Sequence, residues 1–155
     1  MYGIDIYDAD TICRMLHRTR NLRIILRLLV VPTERTGKEH ALVVCRSLAT
    51  GDIYGSIHRG HAWKVRTILC HPSPDAETVL VVHTHPMCDP DDRPVKACLI
   101  SGSDRDTAYT HSVPVCAVAG YQQTRLWTVA THCITGRMTG RTECIKTSTI
   151  TIASR

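Results

Sequence analysis

The segment "TVLVVHTH" at residues 78–85 constrains the fold most strongly. A short apolar run bounded by turn residues is typical of a strand that is covered on both faces. Side chains two residues apart on a strand point to the same face, so His83 and His85 converge while Thr84 faces away. The chain is therefore predicted to build a sheet around this strand, with two imidazoles at its carboxyl end.

Several other segments predict strands. The segments "HALVVCRS" and "DIYGSI" are joined by "LATG", with Gly51 near the end of the turn, and this pattern predicts a β-hairpin. Apolar and β-branched residues predict further strands at "AWKVRTIL", "VPVCAVAG" and "TRLWTVAT", and an edge-type strand at "TSTITIAS". Together these strands indicate a mixed β-sheet.

Helices are predicted before and between these strands. In "DADTICRMLHRTRN", Ile12, Met15 and Leu16 recur at helical spacing and predict an amphipathic helix. In "LISGSDRDTAYTH", serines precede acidic residues, as they do at the N-terminus of a helix. Helices packed against a mixed sheet define an α/β protein.

The apolar segment at residues 22–31 fits either a strand or a second helix, because periodicity alone does not distinguish them. Pro32 and the following "TERTG" predict a break in the chain after it.

Length and composition favour one globular domain. The chain has 155 residues, which suits a single domain over residues 1–155. No segment approaches the roughly 20 apolar residues of a membrane span, and the N-terminus lacks the pattern of a signal peptide, so we expect a cytoplasmic protein. A solvated basic face explains the net charge of +5 better than specific nucleic-acid binding does.

The eight cysteines are predicted to be buried thiols rather than disulfides or zinc ligands. None forms a C-x-x-C pair, and most lie inside apolar runs such as "ALVVCRS" and "VPVCAVAG". Free cysteine buries readily as a small apolar residue.

Two imidazoles supply half of a tetrahedral zinc site, and a catalytic zinc needs a third protein ligand and a place for water. Asp104 and Asp106 lie in the first turn of the helix predicted at "ISGSDRD", and either carboxylate could complete a His/His/Asp set. Glu39 lies just before the strand "HALVVCRS". A carboxylate that reaches the metal-bound water without binding the metal is what a hydrolase needs as a general base.

The order of these residues resembles the signature of the JAMM (MPN+) zinc metalloproteases, in which a glutamate is followed by His-x-His-Pro and Ser-x-x-Asp. The matching elements are Glu39, "HTHP" at 83–86 and "SGSD" at 101–104. The hairpin sequence and the Asp-rich insert before "ISGSD" are similar to a bacterial JAMM-like branch of unknown function that often occurs in polymorphic toxins. The resemblance covers about residues 35–130.

The resemblance implies a JAMM/MPN fold, which is cytidine-deaminase-like, and a zinc-dependent metallopeptidase or isopeptidase. His83, His85 and Asp104 would bind Zn²⁺, and water would fill the fourth position. Glu39 would act as the general base on that water, and Ser101 would stabilise the oxyanion. A second Ser-x-x-Asp ends at Asp106, which therefore competes with Asp104 as third ligand. Asp104 is preferred because its serine follows an apolar pair, as in the family.

The implied partner is a protein or peptide substrate, including ubiquitin-like modifiers as for deubiquitinases. The chain would act in the bacterial cytoplasm or as part of a larger toxin, and its oligomeric state stays open. The alternative is a JAMM-fold scaffold, or toxin-associated domain, that binds without cleaving. A zinc nucleobase deaminase is excluded because its H-x-E and P-C-x-x-C motifs are missing, and a zinc finger is excluded because no paired Cys/His knuckles occur.

Overall fold

The computed structural model describes residues 9–61, 75–86, 104, 113–123, 126–135 and 142–152, with only the backbone at 121–123, 132–135 and 142–145. The described elements are three α-helices, one π-helical segment and six strands. In chain order they are α1 (Ala9–Leu16), α2 (Thr19–Ile25), the π-helical segment (Leu26–Val30), α3 (Val31–Thr36), β1 (His40–Ser47), β2 (Ile53–Arg59), β3 (Ala76–His85), β4 (Val115–Gln123), β5 (Leu126–Thr135) and β6 (Thr142–Thr151).

The six strands form one mixed sheet in the order β2-β1-β3-β4-β5-β6. Strands β3 and β4 pair in parallel, and the other four pairings are antiparallel. The predicted mixed sheet is therefore confirmed, and the chain is a mixed α/β protein with few helices.

The sequence predicted most of the described strands. The hairpin is formed by β1 and β2, and Gly51 adopts a φ of 76°, a left-handed conformation that glycine tolerates without steric cost. Strands β4 and β5 match the predicted apolar segments, and β6 is the outermost described strand on its side, as expected. It begins at Thr142, earlier than the segment "TSTITIAS" indicated.

Strand β3 is buried on both faces, as its apolar sequence predicted. It lies between β1 and β4, and eight of its ten residues are buried. Both Val82 and Thr84 have no exposed surface. A strand inside a sheet with residues packed on both sides needs such a continuous apolar run.

The segment at residues 22–31 is helical, which settles the alternative that the sequence left open. The expected break at Pro32 is wrong, because the backbone stays helical from the π-helical segment into α3, of which Pro32 is the second residue. Just before the proline, the Val31 N–H bonds to the Leu26 carbonyl five residues back, so the hydrogen-bond register of the helix shifts there. The helix ends instead at Gly37, whose φ of 68° gives the left-handed C-cap. Helix α1 is confirmed, but Met15 is exposed rather than part of its buried face.

The helices pack against one face of the sheet and form the main core. Each side chain that is fully buried there stabilises the fold by about 1.5–3 kcal/mol. The core joins residues of the helical layer to residues from β3, β4 and β5, including Ile12, Leu16, Leu22, Ile25, Leu29, Val30, Val79, Val82, Val115, Ala117, Trp127 and Val129.

The opposite face of the sheet carries a smaller core. It consists of Val43, Cys45, Val81, Val113 and Cys116. The strand alternation therefore separates two environments: in β3, Leu80 and Val82 face the helices and Val81 faces the other side.

Polar contacts also fix α1 to the far strands of the sheet. His17, which follows α1, places Nδ1 2.5 Å from the Ser148 hydroxyl oxygen and Nε2 3.1 Å from the Thr131 hydroxyl oxygen. Thr131 also contacts the Cys13 sulfur at 3.0 Å and donates to the Lys146 carbonyl. Burial and the nearby positive charge of Lys146 lower the pKa of His17 from its ordinary 6.5 to about 4.

The prediction of buried thiols holds for two cysteines and fails for a third. Cys13 and Cys116 are buried and free. Cys45 is disulfide-bonded, and its partner lies outside the side chains that the structure describes. Disulfide formation depends on the distance and direction between two Cβ atoms in the fold, which the spacing of cysteines along a sequence does not reveal.

The strand predicted at "AWKVRTIL" lies outside the described residues, as does the helix predicted at "LISGSDRDTAYTH" except for Asp104, whose backbone is helical. Among the described helices, none is both long and apolar enough to cross a membrane.

Candidate metal centre

The two histidines converge at the carboxyl end of β3, on the sheet face opposite the helices. The Nε2 atoms of His83 and His85 lie 3.1 Å apart. Their rings meet edge to face, with centroids 4.9 Å apart and planes inclined by 62°. His83 pairs with Ala41 of β1 and with Val118 of β4, both fully buried, so its ring stands between two filled positions of the sheet. The period of two along the strand thus produces the convergence that the sequence predicted.

Asp104 brings a carboxylate to the same point. Its Oδ1 lies 3.3 Å from His83 Nε2. One ligand atom each from His83, His85 and Asp104 all lie within 4.8 Å of one another, so this group could hold a metal ion. Two donors bound to one tetrahedral ion by bonds of about 2.05 Å are about 3.3 Å apart. The two distances found here are therefore close to those of donors that share an ion.

The surroundings of His83 favour a positive charge. Burial, the largest single effect, lowers the pKa of this ring, but hydrogen bonds and charge interactions with Asp104 and Cys116 outweigh it and raise the pKa to about 10. Without a metal, the ring is thus an imidazolium paired with a carboxylate at neutral pH. A cation is stabilised at this position although the site is buried.

Glu39 lies on the neighbouring strand, on the same face as the histidines. The antiparallel register pairs Ala41 with His83, so its continuation places Glu39 opposite His85. Its backbone extends the β1–β2 pairing: its N–H donates to the His61 carbonyl at 2.7 Å, and its carbonyl accepts from Gly60 at 2.8 Å. The residue is only 6% exposed. Glu39 is not one of the clustered ligand residues, so it is a buried acid beside the cluster.

A buried polar network on the helix side fixes the strand between the two histidines. Thr84 lies with its hydroxyl oxygen 2.5 Å from that of Thr33 in α3, and it accepts the His40 N–H at 2.9 Å. The Thr33 hydroxyl also contacts His40 Nδ1 at 3.1 Å. Thr84 thus faces away from the histidines, as predicted, and ties the end of β3 to both β1 and α3. This network stabilises the end of β3 on the face opposite His83 and His85.

Cys116 was missed as a site residue. It lies in β4, pairs with Val81 and hydrogen-bonds to His83. The sequence shows only a cysteine inside an apolar strand. Its place beside His83 follows from the parallel pairing of β3 with β4, and no pattern in the sequence specifies that pairing. The Thr33–His40–Thr84 network was missed because it depends on how α3 packs against β1 and β3, although its polar residues in or next to buried strands were a signal.

Of the five predicted site residues, the structure brings His83, His85 and Asp104 together and places Glu39 on the same face of the sheet. Ser101, the predicted oxyanion-stabilising residue, lies outside the described residues, and so does Asp106, the competing third ligand.

Fold and site together define a mixed α/β protein with a His/His/Asp cluster able to hold a metal ion. Comparison with known proteins adds no relative: no protein family, no curated protein and no solved structure matches the chain.

Proposed function

We propose that the chain is a zinc-dependent metallopeptidase or isopeptidase of the JAMM/MPN type. In this proposal His83, His85 and Asp104 bind Zn²⁺, Glu39 is the general base and Ser101 stabilises the oxyanion. The fold would be the JAMM/MPN form of the α/β class, in one domain. The substrate would be a protein or peptide, with ubiquitin-like conjugates among the candidates, in the cytoplasm or in a target cell reached as part of a toxin.

The observation that carries the proposal is the spacing of the three donor atoms. Two imidazole nitrogens and a carboxylate oxygen lie at 3.1 and 3.3 Å, about the separation of donors around one tetrahedral ion. Three protein ligands leave the fourth position of such an ion open, which distinguishes catalytic zinc sites from structural ones. When bound there, zinc would lower the pKa of water and polarise the scissile carbonyl.

The buried acid beside the cluster supports hydrolysis rather than metal storage alone. Glu39 lies on the face of the histidines without belonging to the group of ligand atoms. From this position its carboxylate would accept a proton from the attacking water and deliver it to the leaving amine. Val43, Val81 and Val113 form a buried apolar cluster on the same face of the sheet as the histidines, and apolar surroundings of this kind would strengthen the charge interactions of the site.

The experiment that tests this proposal combines metal analysis with turnover. The purified chain is loaded with Zn²⁺, its metal content is measured by mass spectrometry, and cleavage is followed with a quenched-fluorescence peptide library and with ubiquitin-like isopeptide conjugates. We expect about one zinc per chain and cleavage that a chelator abolishes and zinc restores.

Two variants separate the roles of the residues. Glu39→Gln should keep the zinc and lose about 10²–10⁴-fold in turnover, because only the proton transfer is removed. His83→Ala should lose both zinc and turnover. Zinc bound at full occupancy without cleavage of either substrate class would make the chain a metal-binding scaffold, and failure to bind any metal would refute the site.

A further inference from the structure

An apolar groove lies on the face of the sheet opposite the metal centre. It is formed between helices α1 and α2 and strands β1 to β3, and its volume is about 240 Å³. Its walls include Ile12, Leu16 and Ile25 from the helices and Leu42 and Val44 from β1. Leu42 pairs with Val82, whose side chain belongs to the helix-side core, so the sheet itself separates the groove from His83.

The rim of the groove is unusually apolar for a protein surface. Met15 and Ile24 on the helices are each 42% exposed, and Ile53 on β2 is 46% exposed. Scattered exposed apolar residues are normal, but a cluster around one concavity is typical of an interaction site. Asn21 is the one polar residue of the lining, and its amide donates to the Met15 carbonyl.

These features suit a groove that receives a few apolar side chains of a longer peptide segment better than they suit a small-molecule site. Small-molecule sites usually span about 300–1,000 Å³ and contain a few convergent polar groups. This groove is smaller, and its single polar side chain already has a partner. An amphipathic helix binds such a groove by inserting a few apolar residues and leaving its polar face in water.

The charge around the groove specifies the polar face of that helix. Residues 9–38 carry seven Lys and Arg side chains, all exposed, against Asp10 and Glu34. The surplus of five equals the net charge of the whole chain, so residues 9–38, which include the helices, carry the net positive charge and the rest of the chain is neutral overall. Arg20 stands four residues before Ile24 in α2 and therefore lies on the same stripe of the helix, next to the groove.

We propose that this groove binds an acidic amphipathic helix of a partner protein. Its apolar residues would occupy the groove, and its carboxylates would face the arginines of the helical layer, which raises the association rate and selects acidic partners. A second copy of the chain is disfavoured because it would place two equally basic layers together. A membrane is disfavoured because the apolar residues line a concave groove instead of projecting from a convex surface.

A displayed library of peptides of about 15 residues, long enough for about four helical turns, tests the proposal on the full chain. We expect the enriched peptides to be acidic, with apolar residues at helical spacing. For a selected peptide, Ile24→Lys should weaken binding at least about tenfold, and Arg20→Glu should weaken it about three- to tenfold and reduce its salt dependence.

Matched controls lie outside the groove. Leu48 is 55% exposed in the turn after β1, so Leu48→Lys should leave the affinity unchanged. Arg35 is an exposed cation in α3 that does not line the groove, so Arg35→Glu should weaken binding less than Arg20→Glu does. Circular dichroism verifies that each variant is folded. Enrichment of no peptide that depends on Ile24 would overturn the proposal. It would equally be overturned by phosphatidylserine vesicles binding the chain in place of peptides, or by a dimer in sedimentation that Ile24→Lys dissociates.

Discussion

Replacing Thr84 with valine tests whether the network behind the histidines stabilises the fold as the structure indicates. Valine has nearly the shape of threonine, so the change removes the hydroxyl and little else. The hydroxyl accepts the His40 N–H at 2.9 Å and lies 2.5 Å from the Thr33 hydroxyl, and neither Thr33 nor Thr84 has any exposed surface. Leaving a buried donor without a partner costs about 1–3 kcal/mol.

We therefore expect Thr84→Val to lower the free energy of unfolding by about 2–3 kcal/mol. For a chain of this size, each kcal/mol shifts the melting temperature by about 2–4 °C, so the midpoint should fall by about 4–12 °C. Thr84→Ser is the matched control, since it keeps the hydroxyl and loses one buried methyl group, at a cost of about 1 kcal/mol. Urea and thermal unfolding are measured with a chelator present, so that bound metal does not mask the difference.

The metal centre supplies a second readout of the same variants. Because Thr84 faces away from His83 and His85, the zinc affinity of the folded Val and Ser variants should stay within about threefold of the original chain. Equal stability of the Val and Ser variants would refute the energetic role of the hydroxyl. A loss of zinc binding in both would refute the separation of the two sheet faces.

Three further predictions concern the site and the acid sensitivity of the fold. Asp104→Asn should weaken Zn²⁺ binding at least about 100-fold in competition with a chromogenic chelator, and Asp106→Asn should leave it within about threefold; the reverse order would make Asp106 the third ligand. Ser101→Ala should keep the zinc content and lower kcat about 10²–10³-fold in the peptide assay, and an unchanged kcat would remove Ser101 from the oxyanion site. His17 has a pKa lowered to about 4, so its neutral form stabilises the fold above pH 6.5 and that contribution is lost as the pH falls from 6.5 through about 4. His17→Gln should reduce this loss of unfolding free energy by about 1–2 kcal/mol, a value lowered to allow for solvent screening of a half-buried ring. The test is the urea midpoint of both proteins between about pH 7.5 and 4.5, and an equal fall in both would contradict the prediction.

The parts of the fold that depend on local pattern could be predicted from the sequence. The apolar run of β3, the hairpin with Gly51 and the amphipathic α1 follow from the period of side chains and the conformational freedom of glycine. The convergence of His83 and His85 is local in the same sense, because two positions of one strand determine it.

The parts that depend on tertiary contacts could not be predicted from the sequence. Residues 22–31 are apolar in either conformation, and only packing against the sheet selects the helix. Pro32 is a break signal by itself, yet the helix continues through it from the π-helical segment to Thr36. The parallel pairing of β3 with β4 places Cys116 beside His83, and the partner that bonds Cys45 is likewise determined by distances in the folded chain.

The position of Asp104 shows the limit for the site itself. The sequence left Asp104 and Asp106 as two possible third ligands, because the order of residues along a chain does not determine which of two carboxylates reaches the histidines. The structure places Asp104 Oδ1 3.3 Å from His83 Nε2. That distance depends on the tertiary fold, which no local propensity determines.

The proposed metal centre requires that side chains remote along the chain meet around a single divalent ion with one open position. Anomalous scattering at the zinc edge from a crystal of the zinc-loaded protein measures this directly. We expect one peak about 2.0–2.2 Å from His83 Nε2, His85 Nε2 and an Asp104 oxygen, with the Glu39 carboxylate within hydrogen-bond reach of the water at the fourth position. A peak at any other set of side chains, or none at full zinc loading, would contradict it.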